Sequence, residues 1–369
     1  DSLTNLPNRT WLIEHLKIVL EKAKQDKDYQ FALLFFDCDN FKIVNDSLGH
    51  LVGDHLLKEL ARRLKNSLPA TGFLSRIGGD EFTILLTPIA NIQTAIDLAT
   101  EIQAQFNQPF QLEAREIYLT ASIGIVLGNS EYEQPEQILR NADIAMYKAK
   151  ELGKSRYQIF NQEMHSKAVE RLQLEVDLRQ AIKKQELLLY YQPIISLKTG
   201  YLSGFETLVR WQHSTNGMVF PDKFIPIAEE TGLIIPMGNW ILKQACRQMK
   251  TWQEKYPQQT PLTINVNVSV QQFSYSNLIE EIKAILAETG LSPASLKLEI
   301  TESAIMENAE SANKILQQLR DLDIKICIDD FGTGYSSLSY LHHFPIDNLK
   351  IDRLFINQIN TAQENSKIA

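Results

Sequence analysis

Two sets of acidic residues stand where alternating strands and helices would gather them. In the first, Asp37 and Asp39 follow the apolar run Phe31–Phe36, and Asp80 and Glu81 lie in the segment Gly78-Gly79-Asp80-Glu81. Residues two apart in an extended chain share a face, so Asp37 and Asp39 can point the same way. If the Gly-Gly-Asp-Glu turn packs beside that strand, carboxylates from two elements converge. Such a cluster repels itself unless a hard cation sits in it, and Mg²⁺ held by one or two carboxylates plus substrate phosphates is the common solution. Gly78 and Gly79 would let backbone approach a phosphate closely. Taken alone, the Gly-Gly-Asp-Glu segment reads more readily as an acidic, solvated hairpin tip than as a site.

The second set is Glu206, Asn267, Glu299, the pair Asp329-Asp330, and Lys350, each near one end of an apolar strand pattern. In a βα barrel, polar groups at the C-terminal ends of different strands meet at one mouth. Four acids, an amide and a lysine at such a mouth describe a divalent-metal site, with two metals, acting on a phosphodiester. A lysine there can orient or deprotonate an attacking water. Any one of these residues alone would read as a satisfied strand-end polar group; their coincidence on five strands favours a site.

The elements that must position these residues follow from periodicity. Helical spacing marks 11–24, 56–64, 92–106 and 135–152, and strand patterns mark 31–36, 73–77, 82–86 and 117–126. The pair 73–77 and 82–86 reads as a β-hairpin around the Gly-Gly-Asp-Glu turn. A helix over 163–184 reads as a connector. Beyond it, strands 187–195 and 202–211 are joined by Lys198-Thr199-Gly200, a turn short enough to permit only an antiparallel pair. Strands then alternate with helices: strands at 262–268, 296–301, 324–329 and 348–352, helices at 224–256, 271–288 and 309–322. Repeated βα units of this size predict a parallel sheet or an α/β barrel. Six strands are read where a closed barrel needs eight, so the barrel is expected to be incomplete at the C-terminus and the natural protein to continue past Ala369.

Composition bounds the rest. At 369 residues the chain should hold two domains, at ~100–200 residues each. With 44% apolar and 22% charged residues, disorder and fibrous repeats are excluded. A net charge of −8 argues against a nucleic-acid clamp or a polybasic membrane surface. No apolar run approaches the ~20 residues of a membrane helix. Cys38, Cys246 and Cys327 are far apart and form no CxxC, which fits a reducing compartment. The chain begins at Asp1 with no signal peptide, so it is expected to start inside a longer protein.

Residues 1–160 resemble the GGDEF family of diguanylate cyclases. The resemblance rests on Asp1-Ser2-Leu3-Thr4-Asn5-Leu6-Pro7-Asn8-Arg9, on Phe36-Asp37-Cys38-Asp39-Asn40-Phe41-Lys42-Ile43-Val44-Asn45-Asp46, on Gly49-His50-Leu51-Val52-Gly53-Asp54 and on Gly78-Gly79-Asp80-Glu81-Phe82. It implies a palm-like α/β domain that joins two GTP molecules into cyclic di-GMP. By matched position, Asp37, the Cys38 carbonyl and Asp80 would hold Mg²⁺ (or Mn²⁺), with Glu81 supporting the metal and catalytic centre and Gly78 and Gly79 at the substrate. Asn45 and Asp54 would read guanine, chemistry that an amide and a carboxylate can supply. Lys42, Lys150 and Lys154 would contact phosphates, although either of the first two alone would read as a solvated side chain. Each domain binds one GTP, so the resemblance implies a homodimer. Many cyclases carry an inhibitory RxxD product site; Pro69 and Gly72 occupy those positions, so feedback by that route is not expected. Lys154 stands where arginine is frequent, which keeps the charge and loses the bidentate fork.

Residues 170–369 resemble the EAL family of cyclic di-GMP phosphodiesterases. Here the name motif is Glu206-Thr207-Leu208, flanked by Tyr191-Gln192-Pro193 and Val209-Arg210-Trp211. Asn265-Val266-Asn267-Val268-Ser269, Leu298-Glu299-Ile300-Thr301-Glu302-Ser303, the run 329–338 and Lys350-Ile351-Asp352 follow. The resemblance assigns Glu206, Asn267, Glu299 and Asp329 to a first metal and Asp330 to a second. Lys350 would engage the nucleophilic water, Gln192 and Arg210 the substrate, and Glu302 would anchor the 329–338 loop. Two late family motifs are absent, which agrees with a barrel truncated at Ala369.

The expected organisation is a GGDEF domain over 1–161, a connector helix segment over 162–170 and an EAL domain over 171–369. The fold class is α/β: a palm-like sandwich followed by a TIM-type barrel with one antiparallel strand. The expected function is synthesis of cyclic di-GMP from two GTP by the GGDEF domain and its metal-dependent hydrolysis to linear pGpG by the EAL domain when complete. Expected partners are GTP and cyclic di-GMP, with no nucleic acid and no membrane contact within this chain. The expected location is the cytoplasm, alone or as the cytoplasmic part of a longer, membrane-anchored sensor. The alternatives are a non-catalytic nucleotide receptor, and a phosphodiesterase regulated by GTP on its first domain.

Overall fold

A computed structural model describes residues 1–112, 115–257, 261–306, 308–332 and 344–352. The chain divides into two compact units between Glu170 and Arg171.

The first unit runs α1 (Arg9–Gln25), β1 (Gln30–Asp39), α2 (Phe41–Leu48), α3 (His50–Asn66), β2 (Gly72–Gly78), β3 (Glu81–Ile89) and α4 (Ile92–Phe106). It continues with β4 (Phe110–Leu112), β5 (Arg115–Ile117), β6 (Thr120–Gly128), α5 (Pro135–Glu151) and β7 (Tyr157–Ile159), and α6 (Gln162–Ala181) carries the chain across the division. The sheet order is β2-β3-β1-β6-β7, with β1 antiparallel to both neighbours and β7 parallel to β6. A strand buried on both faces reads as a continuous apolar run, and β1 is such a strand. Its Ala32, Leu34 and Phe36 pack with Leu56, Leu60 and Ile102, whereas Phe31, Leu33 and Phe35 pack with Leu12, Leu16 and Met146. After Phe36 the sequence changes to Asp37, which is partly exposed, while Cys38 and Asp39 beyond it are buried again.

Sequence and structure differ at short elements. The apolar pattern 117–126 is divided: Ile117 closes the β4–β5 hairpin, and β6 begins at Thr120. Helix α2 escaped the periodicity because it buries Phe41 alone.

The second unit starts in α6 and continues with β8 (Leu187–Ile195), β9 (Leu202–His213), β10 (Gly217–Val219), α7 (Pro221–Glu230), α8 (Ile234–Lys255), β11 (Thr263–Val268) and α9 (Val270–Phe273). Then come α10 (Leu278–Thr289), β12 (Leu296–Thr301), α11 (Glu302–Met306), α12 (Ala309–Asp321), β13 (Lys325–Phe331) and β14 (Asn348–Ile351). Strands β9, β11, β12, β13 and β14 are parallel neighbours in that order. As the short turn requires, β8 pairs antiparallel with β9, and β10 flanks β9 on its other side. This is the wall of a βα barrel, with β8 and the three-residue β10 both antiparallel to β9. The pattern read as one helix over 224–256 is two, because Gly232 takes a left-handed φ of 71° between α7 and α8. Likewise 271–288 divides into α9 and α10.

Side chains alternate strictly on the parallel strands. Ile264, Val266 and Val268, Leu298 and Ile300, and Ile326 and Ile328 are buried in one core with residues of α8, α10 and α12. The intervening residues, among them Asn265, Asn267, Glu299 and Asp329, therefore share the opposite face of the sheet.

Candidate active sites

In the first unit, the register places Asp37 opposite Glu81 on β3 and opposite Ser122 on β6. The β2–β3 turn therefore delivers Asp80 and Glu81 to the end of β1. Strand β1 runs on through Cys38 and Asp39 past its last partner on β3, so main chain at Cys38 has a strand neighbour on the β6 side only. Burial raises the carboxyl of Asp37, and Asp80 and Asp39 add to the rise against the lowering effect of Lys150. Asp80 is raised by desolvation, and Glu81 by desolvation and by Asp143, Asp37 and Asp80. The Cys38 thiol is buried, and that burial, with the charges of Asp80, Asp37 and Asp39, pushes it well up.

Asp39 departs from expectation. Its carboxylate is buried and accepts from Thr120 Oγ1 at 2.7 Å, Ser122 Oγ at 2.7 Å and Ser155 N at 3.0 Å, so it ties β1 to β6 instead of facing a cation with Asp37. Two of the three lysines expected at phosphates have partners of their own. Lys150 Nζ lies 2.7 Å from Asp37 Oδ1, and Lys154 Nζ donates to Asn40 Oδ1 at 2.7 Å, whereas Lys42 is exposed on α2. Asn45 lies on α2 and Asp54 on α3, and Gly53 lets the two helices approach at Asn45: a Cβ there would fall 2.0 Å from Asn45 Oδ1. Gly78 and Gly79 are exposed at the turn.

Two residues of this site escaped the sequence reading. Arg76 is buried and donates from Nε and Nη2 to Gly79 O at 3.0 and 2.7 Å, while Nη1 reaches Asp1 Oδ1 at 2.9 Å. It thus fixes the Gly78-Gly79 turn, and it senses the charges of both Asp54 and Asp80. An arginine two residues before the turn carried no pattern of its own. Asp143, on α5, is raised by desolvation and in turn raises Glu81; one acid on an amphipathic helix reads as surface.

In the second unit the set from five strands converges. Glu206 comes from β9, Asn267 from β11, Glu299 from β12, Asp329 from β13 and Lys350 from β14. The Lys350 ammonium lies 2.7 Å from Glu299 Oε2, 3.0 Å from Asp329 Oδ2 and 3.2 Å from Glu206 Oε1. Asn267 Nδ2 donates to Glu206 Oε1 at 3.2 Å. Glu206, Glu299 and Asp329 each offer an oxygen, all within 4.8 Å of one another. Three carboxylates from three strands can surround one hard divalent cation, so the donor set fits such an ion, and Lys350 now supplies the positive charge among them. Burial works to lower the lysine, but Glu299 and Asp329 outweigh it and hold it above its ordinary value. Desolvation raises Glu299 against the opposing effects of Lys350 and Asn265.

Asp330 stands apart from the three-carboxylate group. Its backbone is left-handed, at φ 52°, and desolvation with the charges of Asp329 and Asp352 raises its carboxyl. Glu302 is buried, and its Oε2 accepts from Gly332 N at 3.1 Å, at the start of the 329–338 loop. Residues 333–338 of that loop lie outside the described residues. Gln192 is in register with Glu206, and Arg210 with Leu188, so both belong to the β8–β9 ladder that carries Glu206. The Arg210 guanidinium is 5.8 Å from the rings of both Tyr190 and Phe220.

Comparison with known proteins agrees with this geometry. Residues 1–156 match the family model "Diguanylate cyclase, GGDEF domain", and residues 175–369 match the EAL domain model. The chain belongs to the EAL family, with a GGDEF domain preceding the EAL domain. Among its relatives, the bifunctional diguanylate cyclase/cyclic di-GMP phosphodiesterase MucR of Pseudomonas aeruginosa is 42% identical over 368 residues, covering 100% of this chain and 53% of MucR. Signaling protein YkoW of Bacillus subtilis is 42% identical over 370 residues, covering 100% of this chain and 46% of YkoW. The solved structure "PaMucR Phosphodiesterase, c-di-GMP complex" is 43% identical, with a TM-score of 0.51, over 53% of this chain and 78% of that one. The chain thus spans about half the length of the curated relatives it matches. Among the described residues no helix is long and apolar enough to cross a membrane.

Proposed function

We propose that the chain turns over cyclic di-GMP, making it from two GTP at the first unit and hydrolysing it to linear pGpG at the second. The observation that carries the reading is the Lys350 ammonium within 2.7–3.2 Å of carboxylates from three strands, in a chain of the EAL family. Glu206, Asn267, Glu299 and Asp329 would hold a divalent cation, Mg²⁺ or Mn²⁺, with Asp330 toward a second. Once bound, the cation would polarise the phosphodiester and acidify a coordinated water. Lys350, which lies among those carboxylates, would engage the attacking water. Gln192 and Arg210 would hold the dinucleotide at the rim, and Glu302 the loop that carries Asp329.

In the first unit, Asp37, Asp80 and the Cys38 carbonyl would hold the cation, with Glu81 beside them. Asn45 and Asp54 would take guanine and Lys42, Lys150 and Lys154 the phosphates; Lys150 would then have to leave Asp37. One GTP per unit requires two units face to face, hence a homodimer for synthesis, and a homodimer is the reading for hydrolysis as well. The relative with the printed name of both activities supports this assignment. A second reading, a receptor that binds without turnover, is favoured by the lysines seated on the carboxylates of each site, Lys150 on Asp37 and Lys350 on Glu206, Glu299 and Asp329. Incubating the purified protein with cyclic di-GMP and Mg²⁺ or Mn²⁺ should release linear dinucleotide, resolved by chromatography. Tight binding with no product over many hours would favour the receptor.

A further inference from the structure

We propose that Asn265 is a positioning residue of the second site, setting the carboxylate of Glu299 through its side-chain amide. The inference rests on the reading of that site as a divalent-metal centre. Strand β11 carries two asparagines on the face shared with Glu206 and Glu299, and they do different work. Asn267 is exposed, and its Nδ2 donates to Glu206 Oε1 at 3.2 Å. Asn265 is 4% exposed, and its Nδ2 donates to Glu299 Oε1 at 2.7 Å. The register sets Asn265 directly between Glu206 on β9 and Lys297 on β12.

The chemistry of Glu299 makes that bond consequential. Its side chain is fully buried, on the middle strand of the three that supply carboxylates. With Oε1 held by Asn265, Oε2 is the oxygen that meets Lys350 at 2.7 Å. One amide therefore decides which oxygen faces the centre and at what angle. A side chain that orients a metal-ligating carboxylate in this way is worth ~10–100-fold in metal affinity where it has been removed from other sites. The other end of the amide supports the same reading. Asn265 Oδ1 is buried with no hydrogen-bond partner, a state that costs stability. An amide at this position is explained by what its N–H₂ group does for Glu299, since its oxygen gains nothing from the fold.

The test measures Mn²⁺ binding, by the resonance signal of free Mn²⁺, in an Asp37→Asn background that silences the first unit. Asn265→Leu, similar in volume and lacking the donor, should weaken binding by ~10–100-fold while the melting profile stays cooperative. Asn265→Ser, which keeps a hydroxyl donor, should recover part of the affinity. Affinity within twofold of the parent in Asn265→Leu would overturn the proposal, as would a loss of stability with affinity intact. If the leucine variant does not fold, Asn265→Ala is read against the same limits. Absence of any Glu206-dependent Mn²⁺ binding in the parent is a different result, and it would overturn the metal reading and this proposal with it.

Discussion

Each site sets a lysine against several carboxylates, and single residues tune that balance. In the first, Asp37, Asp80, Glu81 and Asp143 are all raised, chiefly by desolvation. Acids raised in the folded state bind protons more tightly there than in the unfolded chain. Their contribution to stability is therefore favourable at low pH and is lost as pH rises from the ordinary carboxylate value through the raised one. Asp143→Asn should stabilise the metal-free protein at pH 7 by a few tenths to about 1 kcal/mol, by removing a like charge near Glu81. The gain in urea midpoint should shrink as pH falls toward the range where Asp143 protonates; a variant less stable at pH 7 would contradict the repulsion. In the second site Lys350→Met leaves three carboxylates without their cation, and the metal-free protein should lose about 2–3 kcal/mol. Mn²⁺ should restore much of that loss in a thermal melt, because the ion fits where the ammonium stood.

At the scale of elements, two close approaches hold the first site together. Strand β6 meets α5 at Gly124, where a Cβ would lie 1.9 Å from Ala142 O and 2.3 Å from Met146 N. Those are backbone atoms of the helix that carries Asp143 and Lys150, so they cannot move aside singly. Gly124→Ala should push α5 off the sheet, costing about 2–3 kcal/mol, and separate Lys150 from Asp37; an unchanged denaturation midpoint would show that the helix can slide freely. Gly53 performs the same service between α2 and α3. Gly53→Ala should weaken GTP binding several-fold by displacing Asn45, with little change in melting, measured by calorimetry. Periodicity made the long elements legible, since β1 is apolar on both faces and the barrel strands alternate against buried helices. It could not show α2, which buries one residue, nor the break at Gly232, where the apolar pattern runs on while the backbone turns. Residue chemistry made most of the two clusters legible. The fate of Asp39 was hidden, because spacing places a carboxylate on a face but does not reveal the hydroxyls of Thr120 and Ser122 arriving from a strand eighty residues away.

Over the whole molecule, each unit has its own core and its own carboxylate cluster, and the chain passes from one to the other within α6. Residues that bridged elements far apart in sequence were the least legible, Arg76 with Asp1 and Asn265 with Glu299 being the clearest cases. Their partners are fixed by topology, which motif spacing records only indirectly. Two separate clusters predict two separable reactions, and the most direct measurement compares product formation in the parent protein, Asp80→Asn and Glu206→Gln. Each is supplied with GTP and, separately, with cyclic di-GMP, in Mg²⁺ or Mn²⁺, with products resolved by chromatography. Asp80→Asn should lose synthesis of cyclic di-GMP by 100-fold or more, on the order expected for removing a metal ligand from a catalytic centre, and retain hydrolysis. Glu206→Gln should lose hydrolysis and retain synthesis. A parent protein that forms neither product, or a variant at one site that abolishes both reactions while remaining folded, would contradict the account.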